Sequence, residues 1–214
     1  MKNLILLVCI FACHLAQGQN VQFSKTSYHI NEKVEIADVT DVAIDNNTTT
    51  SSSLFKTLTF TIQKQAALNL CWAAVASSVS KFYDPSSTFT QCKLANQAFK
   101  RDDCCTDLTK CDAPFSLDEP LKYTGNFVSM HGGAPSFDLI KQQITNGRLV
   151  CVRIEWRSGD GHFVVIHGFH DNGTIDVQDP WPERNPGTIT LLELELFYKD
   201  LGAITDYYLT KPQF

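Results

Sequence analysis

The sequence predicts an α+β domain, and three observations carry that expectation. Apolar residues recur at helical spacing through the stretch after residue 69. From residue 149 onward, short segments rich in Val, Ile and aromatics, separated by turn residues, read as strands. Helices therefore come first and an antiparallel sheet follows, the segregated layout of α+β folds. The chain has 214 residues, 43% hydrophobic and 19% charged, which suits one packed domain plus an extension. Its formal net charge is −5, with no Lys/Arg cluster, so nucleic acid is not an expected partner.

The first residues read as a signal peptide over 1–18. Lys2 supplies a positive start, Leu4 to Ala12 a short apolar run, and Ala16-Gln17-Gly18 small residues before a cleavage site at Gln19. The run is too short to span a bilayer comfortably. Lipoprotein processing at Cys13 would follow Ile10-Phe11-Ala12, where the bulky Phe11 makes a poor signal. The expected product is secreted or periplasmic, monomeric, and free of the membrane once the leader is removed. Residues 19–53 form an N-terminal extension. It has some strand character to about residue 37 and a polar, low-complexity linker at Asp45–Ser53. Whether it is a pro-segment or a spacer stays open.

The globular domain is expected over 54–214. Leu54, Leu58, Phe60 and Ile62 recur with period two and suggest an entering strand. Asn69 is a suitable N-cap for a helix whose apolar side is Trp72, Val75, Val79 and Phe82, ending near Asp84-Pro85. A second helix runs from Thr90 to Phe99. Residues 100–135 read as loop-rich, with a capping box at Ser116–Glu119 for a short helix. Ser136 caps a helix from Phe137 to Asn146, which Gly147 ends. Strands follow at Leu149–Trp156, His162–Phe169 and Thr174–Gln178, the last two joined by a turn at Asp171-Asn172-Gly173. Leu191–Tyr198 fits strand or helix, and Ala203–Leu209 a closing strand. There is no internal repeat.

Export decides how the cysteines read, because disulfides persist outside the cytosol. Six remain after the leader: Cys71, Cys92, Cys104, Cys105, Cys111 and Cys151. Adjacent Cys104 and Cys105 rarely join to each other, so they are expected to bond to Cys92 and Cys111, in either of two arrangements. Zinc would need two well-spaced ligand pairs, which an adjacent pair does not provide. Cys151 sits in an apolar run and reads as a buried hydrophobe. Cys71 is left unpaired.

With Asn69 as cap, Cys71 is the second helical residue, where unpaired N–H groups and the helix dipole favour a thiolate nucleophile. His162 follows the Gly-rich turn Ser158–Gly161 at the mouth of an apolar strand. His167 is five residues further on and points to the opposite face of a regular strand, which argues against a shared metal ion. Asp179 ends the next strand, where a hairpin can return it beside His162 to orient the imidazole. Gln65, six residues before Cys71, can donate an amide N–H to an oxyanion together with the Cys71 backbone; Gln63 is the alternative. A solvent-facing Gln, a surface His and a turn Asp before Pro180 are the ordinary readings of these residues one at a time. Their order and placement are what make them a set.

As a set, Gln65-x5-Cys71-Trp72-Ala73-Ala74, Gly161-His162-Phe163 and Asp179-Pro180-Trp181 resemble the papain-like cysteine proteases. Thr90–Asn96 and the Cys104-Cys105 pair are similar to the bacterial secreted and effector branch of that clan. The likeness spans roughly residues 60 to 210. It implies a helical lobe carrying the Cys, a β-sheet or barrel lobe carrying His and Asp, and a cleft between them. It also implies hydrolysis of protein or peptide substrates without a cofactor or metal. Cys71, His162, Asp179 and Gln65 take the roles of nucleophile, base, orienter and oxyanion donor, and Trp181 would shield the His–Asp hydrogen bond. The branch usually has Trp before the nucleophile where this chain has Leu70. A transglutaminase-like acyl transferase shares the Cys-Trp, His, Asp order, although Gln65 at this spacing argues against it. An inactive papain-like binding module is the other alternative, against which stands the presence of all four positions.

Overall fold

The computed structural model describes residues 55–199 and 202–213. The leader, the 19–53 extension and the boundary at Leu54 lie outside the described residues.

Where the polypeptide enters, the period-two run joins a ladder for only two residues, β1 (Lys56–Thr57), paired with Phe169 and Gly168. The alternation is nonetheless physical. Leu58, Phe60 and Ile62 pack toward the core while Thr59 and Thr61 face solvent. Instead of a continuing ladder, separate polar contacts hold this segment. Leu58 N donates to His167 O at 2.8 Å, and the Gln178 side chain accepts from Ile62 N at 2.7 Å and donates to Phe60 O at 2.8 Å.

Helix α1 (Cys71–Tyr83) follows, and its first ten residues are all buried. Small side chains make that possible: Ala73, Ala74, Ala76, Ser77, Ser78 and Ser80 let neighbouring elements approach closely on every side. The buried hydroxyls find acceptors, Ser78 in Ala74 O at 2.6 Å and Ser77 in Phe89 O at 2.8 Å. Asn69 is not the cap; Leu70 occupies that position without a side-chain bond. The reason is a competing partner. Asn69 N donates to Asp112 Oδ1 at 2.6 Å and its Nδ2 to Asp112 O at 3.3 Å, so the side chain faces the 112 loop rather than the helix. Cys71 is therefore the first helical residue, not the second.

Helix α2 (Gln91–Phe99) is capped by Thr90, whose Oγ1 accepts from Lys93 N. The capping box expected at Ser116–Glu119 does not form. Helix α3 (Asp118–Tyr123) begins after Leu117, and Asp118 and Glu119 both pair with Lys122 at 2.7 Å instead. Strand β2 (Phe127–Gly132) falls where only loop was expected. It is mostly exposed and has no apolar alternation to betray it; its backbone pairing with the last strand holds it. Helix α4 (Phe137–Thr145) has Ser136 as cap and Gly147, at φ +71°, just past its end.

Strands β3 (Val150–Trp156), β4 (Gly161–Phe169) and β5 (Thr174–Gln178) match the expected segments to within a residue. A strand that the sequence did not suggest, β6 (Gly187–Thr190), comes next, and the ambiguous Leu191–Tyr198 region begins with a short helix α5 (Leu191–Leu196), with Thr190 Oγ1 accepting from Glu193 N at 3.1 Å. Strand β7 (Gly202–Thr210) inserts between β2 and β3, giving the antiparallel order β2-β7-β3-β4-β5-β6. Alternation along β3 and β4 divides the interior. Cys151, Phe163 and Val165 meet α1, α2 and α3, while Val150, Val152, Ile154, Val164 and Ile166 meet α4 and α5. The arrangement is α+β, with a helical layer bearing Cys71 and a sheet bearing His162.

Of the two disulfide arrangements left open by the sequence, the structure carries Cys92–Cys105 and Cys104–Cys111. The first fastens α2 to the segment that precedes α3, and the second closes that segment on itself. Cys151 is free and fully buried in the sheet, where desolvation drives its thiol pKa far upward and keeps it protonated. Among the described residues no helix is long and apolar enough to cross a membrane.

Candidate active site

Hairpin geometry assembles the site. Ile154 pairs with His162 across β3 and β4, and Val165 pairs with Gln178 across β4 and β5. Continuing that second register brings Asp179, one residue past β5, back toward the start of β4. There His162 Nε2 lies 2.7 Å from Asp179 Oδ1. Cys71 is near enough to contribute to the His162 pKa, and with Nε2 taken by Asp179 the nitrogen left for the sulfur is Nδ1. Cys71 and His162 are only 5% and 4% exposed, yet both line an open cleft of about 1100 Å³.

Burial alone would depress the His162 pKa. The hydrogen bond and charge of Asp179, with those of Cys71, outweigh it and raise the value from 6.5 to about 9. The ring therefore holds its proton at neutral pH.

Three donors converge on Asp179, which is fully buried as a side chain. Besides His162, Trp181 N donates to Oδ1 at 2.6 Å and the Tyr198 hydroxyl to Oδ2 at 2.7 Å. Asp179 N itself donates to Asn185 Oδ1 at 3.3 Å. Burial and then the Asp179 charge drive the Tyr198 pKa far upward, so its hydroxyl remains a donor. Trp156 stacks on the imidazole, with centroids 6.1 Å apart and planes inclined by 28°. Arg184 lies over both indoles, 4.6 Å from the Trp181 centroid and 5.1 Å from that of Trp156.

Tyr198, Trp156, Arg184 and Asn185 are the members that sequence reasoning missed. The β3–β4 hairpin could have revealed Trp156, because it ends the strand that pairs with His162. Nothing in the sequence marks Tyr198, which follows α5 and reaches Asp179 only through the return of the chain toward β7.

Gln65 is buried, but its amide is not idle. Nε2 donates to Ala67 O at 3.0 Å and Leu68 O at 2.7 Å, holding the turn that leads to Cys71, while Oε1 is buried without a partner among the described residues. Both N–H groups are thus engaged, and Gln65 lines a smaller depression bordered by Leu68 and Trp181. Gln63 is committed elsewhere, with its amide donating to Ser77 Oγ at 2.9 Å. Trp72 anchors the helix start, its Nε1 donating to Ala113 O at 3.1 Å. His167 points away from His162, its Nδ1 3.1 Å from Leu58 O. Among the described residues, Asp103, Cys104 and Cys111 lie close enough together to suggest a metal site, but the two sulfurs are bonded to each other and offer no thiolate.

The sequence pattern of the Peptidase_C39 like family matches residues 57–205, a span that takes in Cys71, His162 and Asp179. The chain belongs to the Peptidase_C39-like family. Membership makes it a cysteine peptidase, a hydrolase. No curated protein matches this peptidase. Among solved structures it is similar to xylellain, a cysteine protease from Xylella fastidiosa. That likeness has 12% sequence identity and a TM-score of 0.43 over 72% of this chain and 85% of xylellain.

Proposed function

We propose that this peptidase is a secreted or periplasmic endopeptidase that cleaves protein or peptide substrates through Cys71, His162 and Asp179. The observation that carries the reading is a buried imidazole, bonded to a carboxylate, that shares the wall of an open cleft with the Cys71 sulfur and has its pKa raised in part by it. The disulfides, and a described fold without a membrane-spanning helix, are compatible with an exported protein.

In this mechanism the Cys71 thiolate attacks the peptide carbonyl. The oxyanion meets the Cys71 N–H, unpaired at the first position of α1, and one Gln65 N–H released from a loop carbonyl. His162 passes its proton to the leaving amine, and the resulting thioester is hydrolysed by water that His162 deprotonates. Asp179 holds the ring with Nδ1 toward the sulfur, and Trp181 covers the hydrogen bond between them. Cys71→Ala should abolish turnover of casein and of a peptide mixture while the protein stays folded. Hydrolysis retained by that variant would refute the assignment.

A further inference from the structure

The cleft is chemically lopsided. One part of its wall is aromatic: Trp72 and Phe115 lie with ring centroids 5.2 Å apart on the helical side, and Phe163 and Tyr208 5.9 Å apart on the sheet. Around His162 the wall changes character. Arg184 lies across Trp156 and Trp181, Arg157 follows Trp156 in the exposed turn, and Lys199 closes the rim.

These cations differ from the other one in the cleft. Arg153 is satisfied within the fold, by Glu155 at 2.8 Å, Thr205 at 2.7 Å and Asp206 at 4.0 Å. Among the described residues neither Arg157 nor Arg184 has a carboxylate within 4.0 Å. Arg184 Cζ lies over both indoles, and among the described residues its guanidinium makes no hydrogen bond to a protein acceptor. Asp160 also lines this region, but it is a single carboxylate, met by Ser158 Oγ at 3.3 Å. The excess positive charge stands out in a chain whose formal net charge is −5.

Chemistry fixes which part of a substrate meets this wall. His162 must protonate the amine that leaves, so the leaving fragment lies beside the imidazole and its neighbours, and the acyl fragment extends toward the aromatic part. We infer that Arg157 and Arg184 select a carboxylate on the leaving side of the scissile bond. It is supplied either by an acidic side chain or by the free C-terminus of the substrate. This specificity rests on Cys71 and His162 acting as proposed above.

The test uses peptides that share one acyl-side sequence ending in a large apolar residue. Three are C-terminally amidated and carry Glu, Gln or Lys on the leaving side; a fourth carries Gln and a free C-terminal carboxylate. At low salt, kcat/KM for a carboxylate-bearing peptide should exceed that of the amidated Gln peptide by about 10-fold, and Lys should fall below Gln. Preference for amidated Glu identifies a side-chain carboxylate, and preference for the free acid a terminal one; either supports the inference. In 1 M salt, where the screening length falls to about 3 Å, the ratio should shrink toward one. The double variant Arg157→Gln/Arg184→Gln should also bring the ratio to one. Because each ratio is taken within one protein preparation, partial loss of folding cancels. Equal cleavage of all four peptides at low salt would overturn the inference and leave the triad standing. Failure to cleave any of them would take the triad reading, and this inference with it.

Discussion

Replacing Asp179 with Asn removes one charge while keeping nearly all of the local geometry. The amide oxygen can accept from His162 Nε2 and Trp181 N in place of Oδ1. The new N–H2 would meet the Tyr198 hydroxyl, which can turn its hydrogen to Arg184 O, already 3.2 Å away. What disappears is the negative charge that helps hold the His162 pKa near 9 against burial. An opposite charge at this distance is worth about 1–2 pKa units, or roughly 1.4–2.7 kcal/mol. The sign follows directly. A raised pKa means that the imidazolium persists below about 9 and is lost as pH rises through that value. Asp179→Asn should therefore move the alkaline limb of the kcat/KM profile down by about 1–2 units. With a limb lowered to about 7.5, kcat/KM at pH 8.5 falls about 8-fold relative to the parent, while the ratio at pH 6.5 changes little. The same linkage applies to folding. The raised pKa contributes about 3 kcal/mol, fully present below about pH 6.5 and lost toward pH 9. The assay is a pH–rate profile with a fluorogenic peptide, with circular dichroism confirming the fold. A variant that folds and keeps its alkaline limb near pH 9 would refute the electrostatic account.

Gln65→Ala should lower kcat by about 100-fold with little change in KM if its amide serves the oxyanion. A fall in Tm with unchanged kcat per folded molecule would restrict Gln65 to holding the turn before Cys71. Mild reductant should open Cys92–Cys105 before Cys104–Cys111, since Cys105 is exposed whereas Cys104 and Cys111 are buried; alkylation and mass spectrometry would report the order. Closing these short loops is worth about 3 kcal/mol each, so Cys92→Ser/Cys105→Ser should lower Tm by several degrees. Gly168→Ala would drive a methyl into Asp176 Oδ2 and put it 2.9 Å from Thr57 Oγ1. That should cost about 1–3 kcal/mol in a denaturant titration, and a neutral result would mean that the Asp176 cluster yields more easily than its packing suggests.

Local chemistry along the chain determined much of this protein. The spacing of Trp72, Val75, Val79 and Phe82 specified α1, the Thr90 and Ser136 caps set the starts of α2 and α4, and β3, β4 and β5 were written in their Val and Ile content. These features were legible because helix and strand periods are set by residues close together in sequence. Asn69 failed as a cap because Asp112, 43 residues away, competed for it. Strand β2 left no trace because an exposed edge strand needs backbone pairing, not an apolar face. Disulfide pairing, the Tyr198–Asp179 bond, the Trp156–His162 stack and the engagement of Gln65 were decided only by tertiary structure. Each joins groups whose side chains carry no mark of their partner, and only the packing of sheet against helices sets the distance between them.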